Sequence, residues 1–205
     1  MATIALDLDG TLITCEPRQS AVLRATARRF GVDVDLDAVW ECKRAGGTTL
    51  QGLIQCGVPG GIAASMADVW RTSVESPGWL AVDRVLPEVT GWLLTMRRRS
   101  FTLDVLTARS RPEWVVPQLA NLGLLSRVDS VTCVPPAEAA AAKADHLGRS
   151  GAVIFVGDTE SDASAARQAG CRFAGVATGQ RHSAFLRAIG GFPVHESLAT
   201  VIVAD

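Results

Sequence analysis

At 205 residues the chain fits one domain with an elaboration or two small ones, and it can bury a sizeable core. With 48% hydrophobic residues, 20% charged residues and a formal net charge of -1, the composition excludes a disordered tail and a polybasic nucleic-acid binder. Within the 20 basic residues only two, Lys43 and Lys143, are lysines, so chemistry that needs an ammonium has two candidates.

Apolar runs such as 152–156 fall far short of the ~20 residues of a membrane span, and Asp7 and Asp9 stand where a signal peptide would be apolar. The expectation is a cytoplasmic chain without a membrane partner. Cysteines at 15, 42, 56, 133 and 171 form no Cys-x-x-Cys pair and are expected as reduced thiols in small buried sites.

Residues 3–8 read as a buried strand that ends in the acidic turn Asp7-Leu8-Asp9-Gly10-Thr11. From about 17 to 75 the apolar spacing becomes helical, through Val22, Leu23, Ala27 and Phe30 and on to Met66, Val69 and Trp70. Gly46-Gly47 and Pro59-Gly60-Gly61 punctuate this block, and Ser76-Pro77-Gly78 reads as a return linker. Beyond Pro87 helices and strands alternate: helix 87–99, strand 101–106, helix 112–122, strand 130–134, helix 137–147, strand 152–156, helix 162–169 and strand 172–176. Strands separated by helices of this length build right-handed crossovers. The expected fold is α/β, a doubly wound parallel sheet with an inserted α-helical block, divided into a core of residues 1–14 and 86–205 and a cap of residues 15–85.

Ligands of open parallel sheets bind beyond the carboxyl ends of the strands. Three polar groups fall at such ends: Asp7 and Asp9, then Thr107 and Arg109, then Asp158, Thr159 and Asp162. Carboxylates converging on one point repel unless a cation joins them, and an oxygen-only set without His or Cys suits Mg²⁺.

These residues carry a family resemblance. Asp7-Leu8-Asp9-Gly10-Thr11-Leu12, the threonine of Leu106-Thr107-Ala108-Arg109, and Val156-Gly157-Asp158-Thr159-Glu160-Ser161-Asp162 resemble the first, second and fourth motifs of the haloacid dehalogenase superfamily, in that order. The stretch Gly175-Val176-Ala177-Thr178-Gly179 resembles its capped, phosphoglycolate-phosphatase-like members. The resemblance implies a Mg²⁺-dependent phosphatase that hydrolyses a small phosphate monoester through an aspartyl-phosphate. Asp7 would be the nucleophile and Asp9 the general acid and base. The metal would be held by the Asp7 side chain, the Asp9 backbone carbonyl and Asp158, with Asp162 in support. Thr107 would donate to the phosphoryl group, and Gly10, Thr11, Ala108 and Arg109 would lie around it. An acid at position 9 implies a leaving alkoxide that needs a proton, unlike a halide.

The third motif of the family, a lysine that often opens the helix before the last metal motif, is absent from Cys133-Val134-Pro135-Pro136-Ala137. Two residues are open for its role: Lys143, further along that helix, or Arg109. The insert after the first strand has the position of the family's C1-type cap, with hinges expected near 14–17 and 76–87. Within it, Lys43 and Arg44 before Gly46-Gly47 are the substrate-loop candidates, or else a basic helix end that favours the dipole. Arg97-Arg98-Arg99 reads as a solvated helix end, and no histidine is assigned a role. A sugar phosphomutase of the same family and a non-catalytic regulatory module with this fold are the alternatives. The expected partner is a small phosphorylated metabolite, and the expected state a monomer or homodimer.

Overall fold

The computed structural model describes residues 1–203. From β1 (Thr3–Leu6) the chain enters a helical block of α1 (Glu16–Phe30), α2 (Leu36–Arg44), α3 (Thr49–Gln55), α4 (Gly60–Ser73) and the single turn α5 (Pro77–Leu80). It then runs through α6 (Val89–Arg98), β2 (Thr102–Ala108), α7 (Val115–Asn121), β3 (Ser130–Val134), α8 (Ala139–Ser150), β4 (Ala152–Gly157), α9 (Glu160–Ala169), β5 (Arg172–Val176), α10 (Ser183–Ile189) and β6 (Val194–His195). The six strands form one sheet in the order β3-β2-β1-β4-β5-β6, and every neighbouring pair is parallel. Strands are laid outward from β1 on one side and from β4 on the other. The switch point therefore lies between β1 and β4, and a crevice opens beyond their carboxyl ends.

Alternation along β1 feeds two cores. Ile4 and Leu6 join Leu93, Leu103, Val105 and Leu119 on one face, while Ala5 joins Leu106, Leu147, Phe155 and Ala166 on the other. With both faces covered, the central strands β1 and β4 read as nearly continuous apolar runs. The helical block has its own apolar cluster, which includes Leu23, Val39, Leu53, Ala63 and Met66. Its helices start for local reasons. Asp35 accepts from the Ala38 N–H at the head of α2, and Thr48 and Gln51 form a reciprocal capping box on α3. The chain leaves and re-enters the sheet layer side by side: Thr14 N–H donates to the Arg84 carbonyl at 2.8 Å and Arg84 N–H to Thr14 Oγ1 at 2.9 Å. Among the described residues no helix is long and apolar enough to cross a membrane.

Three local expectations change. Ser76-Pro77-Gly78 does not form an open linker but starts α5, where Pro77 occupies a first-turn position that needs no N–H. The helix expected over 137–147 opens as a 3-10 turn at Pro136–Glu138, with Pro136 at a first-turn position that needs no N–H, and becomes α-helical at Ala139. Lys143 is thereby brought close to the helix start. Beyond the last expected strand the chain adds α10 and β6, the latter too short for any periodic signal.

Candidate active site

Asp7 follows β1 directly, and its N–H donates to the Val156 carbonyl of β4 at 2.9 Å, which fixes it at the switch point. The chain then folds back on itself: Leu12 and Ile13 N–H groups donate to the Leu8 carbonyl at 2.9 and 3.1 Å, and Gly10 adopts φ +77°. On the neighbouring strand β4 ends in Gly157 and delivers Asp158. Thr159 caps α9, and its N–H and hydroxyl donate to Asp162 Oδ2 at 3.2 and 2.6 Å. This cap leaves Asp162 Oδ1 facing the strand ends.

Asp7, Asp158 and Asp162 are all buried, and each brings one carboxylate oxygen within 4.8 Å of the others. Lys143 reaches into the group from α8, its Nζ donating to Asp7 Oδ1 and to Asp162 Oδ1, both at 2.6 Å. One ammonium thus bridges two of the three carboxylates, and Asp158 receives no bond from it. Burial raises Asp7 to about 7, with Lys143 opposing the shift and Asp162 adding to it. Asp158 is pushed well above the usual carboxylate range by burial and then by Asp7 and Asp162. Although burial works against its charge, Lys143 holds its proton more firmly than a free lysine because Asp162 and Asp7 flank it. Asp158 Oδ2 accepts from the Gln180 N–H at 2.6 Å, whereas its Oδ1 is buried without a partner. Excess negative charge, oxygen-only donors and one orphaned carboxylate oxygen together fit a hard divalent cation.

Asp9 faces a different environment. Arg109 Nε donates to its Oδ2 at 2.5 Å and Arg109 Nη2 to its Oδ1 at 2.8 Å, while Arg18 of α1 donates to the same Oδ1. Burial favours protonation of Asp9, but Arg109 and then Arg18 outweigh it and hold the carboxyl below its ordinary value. Arg18 also binds Asp83 and the Val74 carbonyl. Gln118 closes the network by donating to Asp83 Oδ2 at 2.8 Å and accepting from Arg109. Asp7, Asp9, Thr107, Lys143, Asp158 and Arg181 line one cleft of about 270 Å³.

Of the remaining anticipated residues, Ala108 lines the cleft, and Gly10 lies beneath Gly179 and Asp158. Thr11 is fully buried with its hydroxyl unpartnered. Arg109 acts on Asp9 from behind and does not line the cleft. Lys43 and Arg44 do not reach it either. Lys43 is 5% exposed, donates to Gln19, and lies 4.3 Å from the Trp70 ring centre and 5.8 Å from that of Trp40. Arg44 Nη2 donates to the Ala177 carbonyl at 3.3 Å. The aromatic pair supplied by α2 and α4 draws the ammonium into the helical block. Arg18, Asp83, Gln118, Gln180 and Arg181 were not anticipated. Only the glycine-containing stretch just before Gln180 carried a signal.

The comparisons with known proteins agree with this architecture. A haloacid dehalogenase-like family hydrolase from Streptococcus pneumoniae superposes with a TM-score of 0.75 at 19% identity, over 97% of this chain and 96% of that one. A protein described as a predicted phosphatase from Clostridium acetobutylicum gives 0.73 at 17% identity, over 97% and 94%. One described as a predicted phosphoglycolate phosphatase from Haemophilus somnus gives 0.72 at 17% identity, over 97% and 95%. These likenesses establish the shared fold. No curated protein matches the sequence. The sequence model of the haloacid dehalogenase-like hydrolases matches residues 1–170, a span that holds every acidic residue of the cleft, and the chain belongs to that family of hydrolases.

Proposed function

We propose that the chain is a Mg²⁺-dependent phosphatase acting on a small phosphate monoester through an aspartyl-phosphate, with residues 1–14 and 86–205 as catalytic core and 15–85 as a cap. The observation that carries this reading is Lys143 bridging Asp7 and Asp162 at 2.6 Å beside the partnerless Oδ1 of Asp158. The structural neighbours described as phosphatases support it, and a cleft of about 270 Å³ suits a small metabolite.

Asp7 attacks phosphorus, its carboxylate oxygen forming the new bond as the bond to the leaving oxygen breaks. Lys143 and the Thr107 hydroxyl donate to the phosphoryl oxygens, while Asp162 keeps Lys143 in place. Gly10, Thr11 and Ala108 surround the phosphoryl group. Mg²⁺, held by the Asp7 and Asp158 side chains and the Asp9 carbonyl, would neutralise phosphoryl charge and favour ionised Asp7. Asp9 gives a proton to the leaving alcohol and takes one from the water that splits the aspartyl-phosphate. Arg109 and Arg18 bind both of its oxygens and favour its ionised form, so Asp9 takes up the proton it gives, and reaches the alcohol, only when one of these contacts opens.

The test is a screen of sugar phosphates, nucleotides and small phospho-acids with Mg²⁺, measuring phosphate release by wild type, Asp7→Asn and Lys143→Ala. The expected result is release by wild type that falls by about 10⁴-fold in Asp7→Asn, together with a large loss in Lys143→Ala. An Asp7→Asn protein as active as wild type would falsify the mechanism.

A further inference from the structure

The cap and the acidic cluster meet in one short stretch of chain. On the cap side, Arg181 Nη1 donates to the Lys43 carbonyl at 2.6 Å, His182 N–H to the Arg44 carbonyl at 3.1 Å, and Arg44 Nη2 to the Ala177 carbonyl at 3.3 Å. Phe185 closes on Gly46 so tightly that a Cβ there would lie 2.2 Å from its ring. On the core side, Thr178 Oγ1 donates to the Gly10 carbonyl at 2.6 Å, and Gln180 N–H donates to Asp158 Oδ2 at 2.6 Å. Residues 177–182 therefore hold both the end of α2 and a carboxylate of the proposed cation site.

Arg181 is the tie between the two sides. Its Nε and Nη2 fork onto Glu160 at 2.6 Å each, which anchors it to the first residue of α9, while Nη1 crosses to the cap. A planar fork that is fixed at one end and bonded to a backbone carbonyl at the other holds the loop at a set distance from both partners. The Gln180 N–H determines which oxygen of Asp158 is engaged and which is left free. A loop shift that follows release of Lys43 and Arg44 moves that N–H, and with it Asp158.

We propose that residues 177–182 couple cap docking to divalent-cation binding at Asp158, with Arg181 and Arg44 as positioning residues. The inference rests on the cation reading of the acidic cluster. Coupling of this kind is reciprocal: docking tightens cation binding, and the cation tightens docking, by the same factor.

Isothermal titration of the cation-free protein with Mg²⁺, and with Mn²⁺ as a second probe, tests it in wild type, Arg44→Ala, Arg181→Gln and the double variant. Each single variant is expected to weaken cation binding by about fivefold or more, and the double variant by about as much as the more strongly affected single variant, because both act through one loop. Arg44→Ala removes only one contact at a partly exposed position, so it remains informative where Arg181→Gln folds poorly. Amide exchange at His182, whose N–H reports docking directly, is expected to slow in wild type on saturation with Mg²⁺. Wild type that binds no divalent cation would overturn both the cation reading and the coupling. Cation binding in wild type with equal affinity in Arg44→Ala, or unchanged exchange at His182, overturns the coupling alone.

Discussion

Arg109 grips Asp9 through two hydrogen bonds, Nε to Oδ2 at 2.5 Å and Nη2 to Oδ1 at 2.8 Å, with both side chains largely out of water. Arg18 adds a third donor from α1, and Asp83 balances the second guanidinium. Two buried cations, buried Asp83 and part-buried Asp9 thus form one neutral set that links the helical block, the returning chain and the core. The set also involves the residue proposed as acid and base.

Lysine cannot reproduce the Arg109 fork, since its single ammonium is a point charge on a flexible stem. Arg109→Lys is expected to lower unfolding free energy by about 1.5–3 kcal/mol, the range for a lost charged hydrogen bond, and to lower turnover as Asp9 loses its set orientation. Urea unfolding and phosphate release measure the two effects. Unchanged stability would show that the fork contributes little, despite its burial.

The acidic residues were legible because each follows an apolar strand directly, and a parallel sheet brings strand ends together. Lys143 was legible by scarcity: it is the only lysine of the expected core, and the α-helix that carries it starts at Ala139, near enough to the strand ends for the ammonium to reach back. Arg18 was not legible. It is one of 18 arginines among 20 basic residues, and it meets Asp83 across 65 positions of sequence, a contact no local pattern encodes. Lys43 was misread for a related reason. At a helix end it looked solvated or substrate-facing, whereas Trp70, which encloses it, arrives from another helix. α10 and β6 escaped because a two-residue strand has no period to detect.

Lys43 predicts a pH dependence. Burial lowers it to about 8; the Cys15 thiol opposes that shift, while Arg181 and Arg18 reinforce it. Its folded value therefore lies below its value in the unfolded chain, near 10.4. Between the two the unfolded state binds the extra proton, so stability rises as pH increases from about 8 to about 10.4. The integrated effect is about 3 kcal/mol at most. Cys15 works in the opposite direction, because burial and the nearby Asp158 and Asp9 raise its thiol. The informative quantity is therefore the difference between wild type and Lys43→Met. Urea unfolding at pH 7.5 and 9.5 should show wild type gaining on Lys43→Met at the higher pH, and a constant difference would refute the assignment.

Gly179 makes the closest approach in the site. A Cβ on it would lie 1.9 Å from Asp158 Oδ2 and 2.6 Å from the Gly10 Cα. The carboxylate could rotate away, but the Gly10 backbone cannot without unwinding the turn that carries Asp9. Gly57 is the contrasting case, with φ +83° and open space around it, so alanine there meets only the left-handed backbone cost of about 1–2 kcal/mol. Gly179→Ala is expected to exceed this, at about 3 kcal/mol or more, since the overlap is with fixed backbone. Where the variant still folds, displacement of Asp158 should abolish phosphate release, which Gly57→Ala leaves near wild type. Urea midpoints and phosphate release for the two variants decide the matter. A Gly179→Ala protein no less stable than Gly57→Ala, and still active, would mean that the loop has room to retreat from Asp158 and does not fix its position.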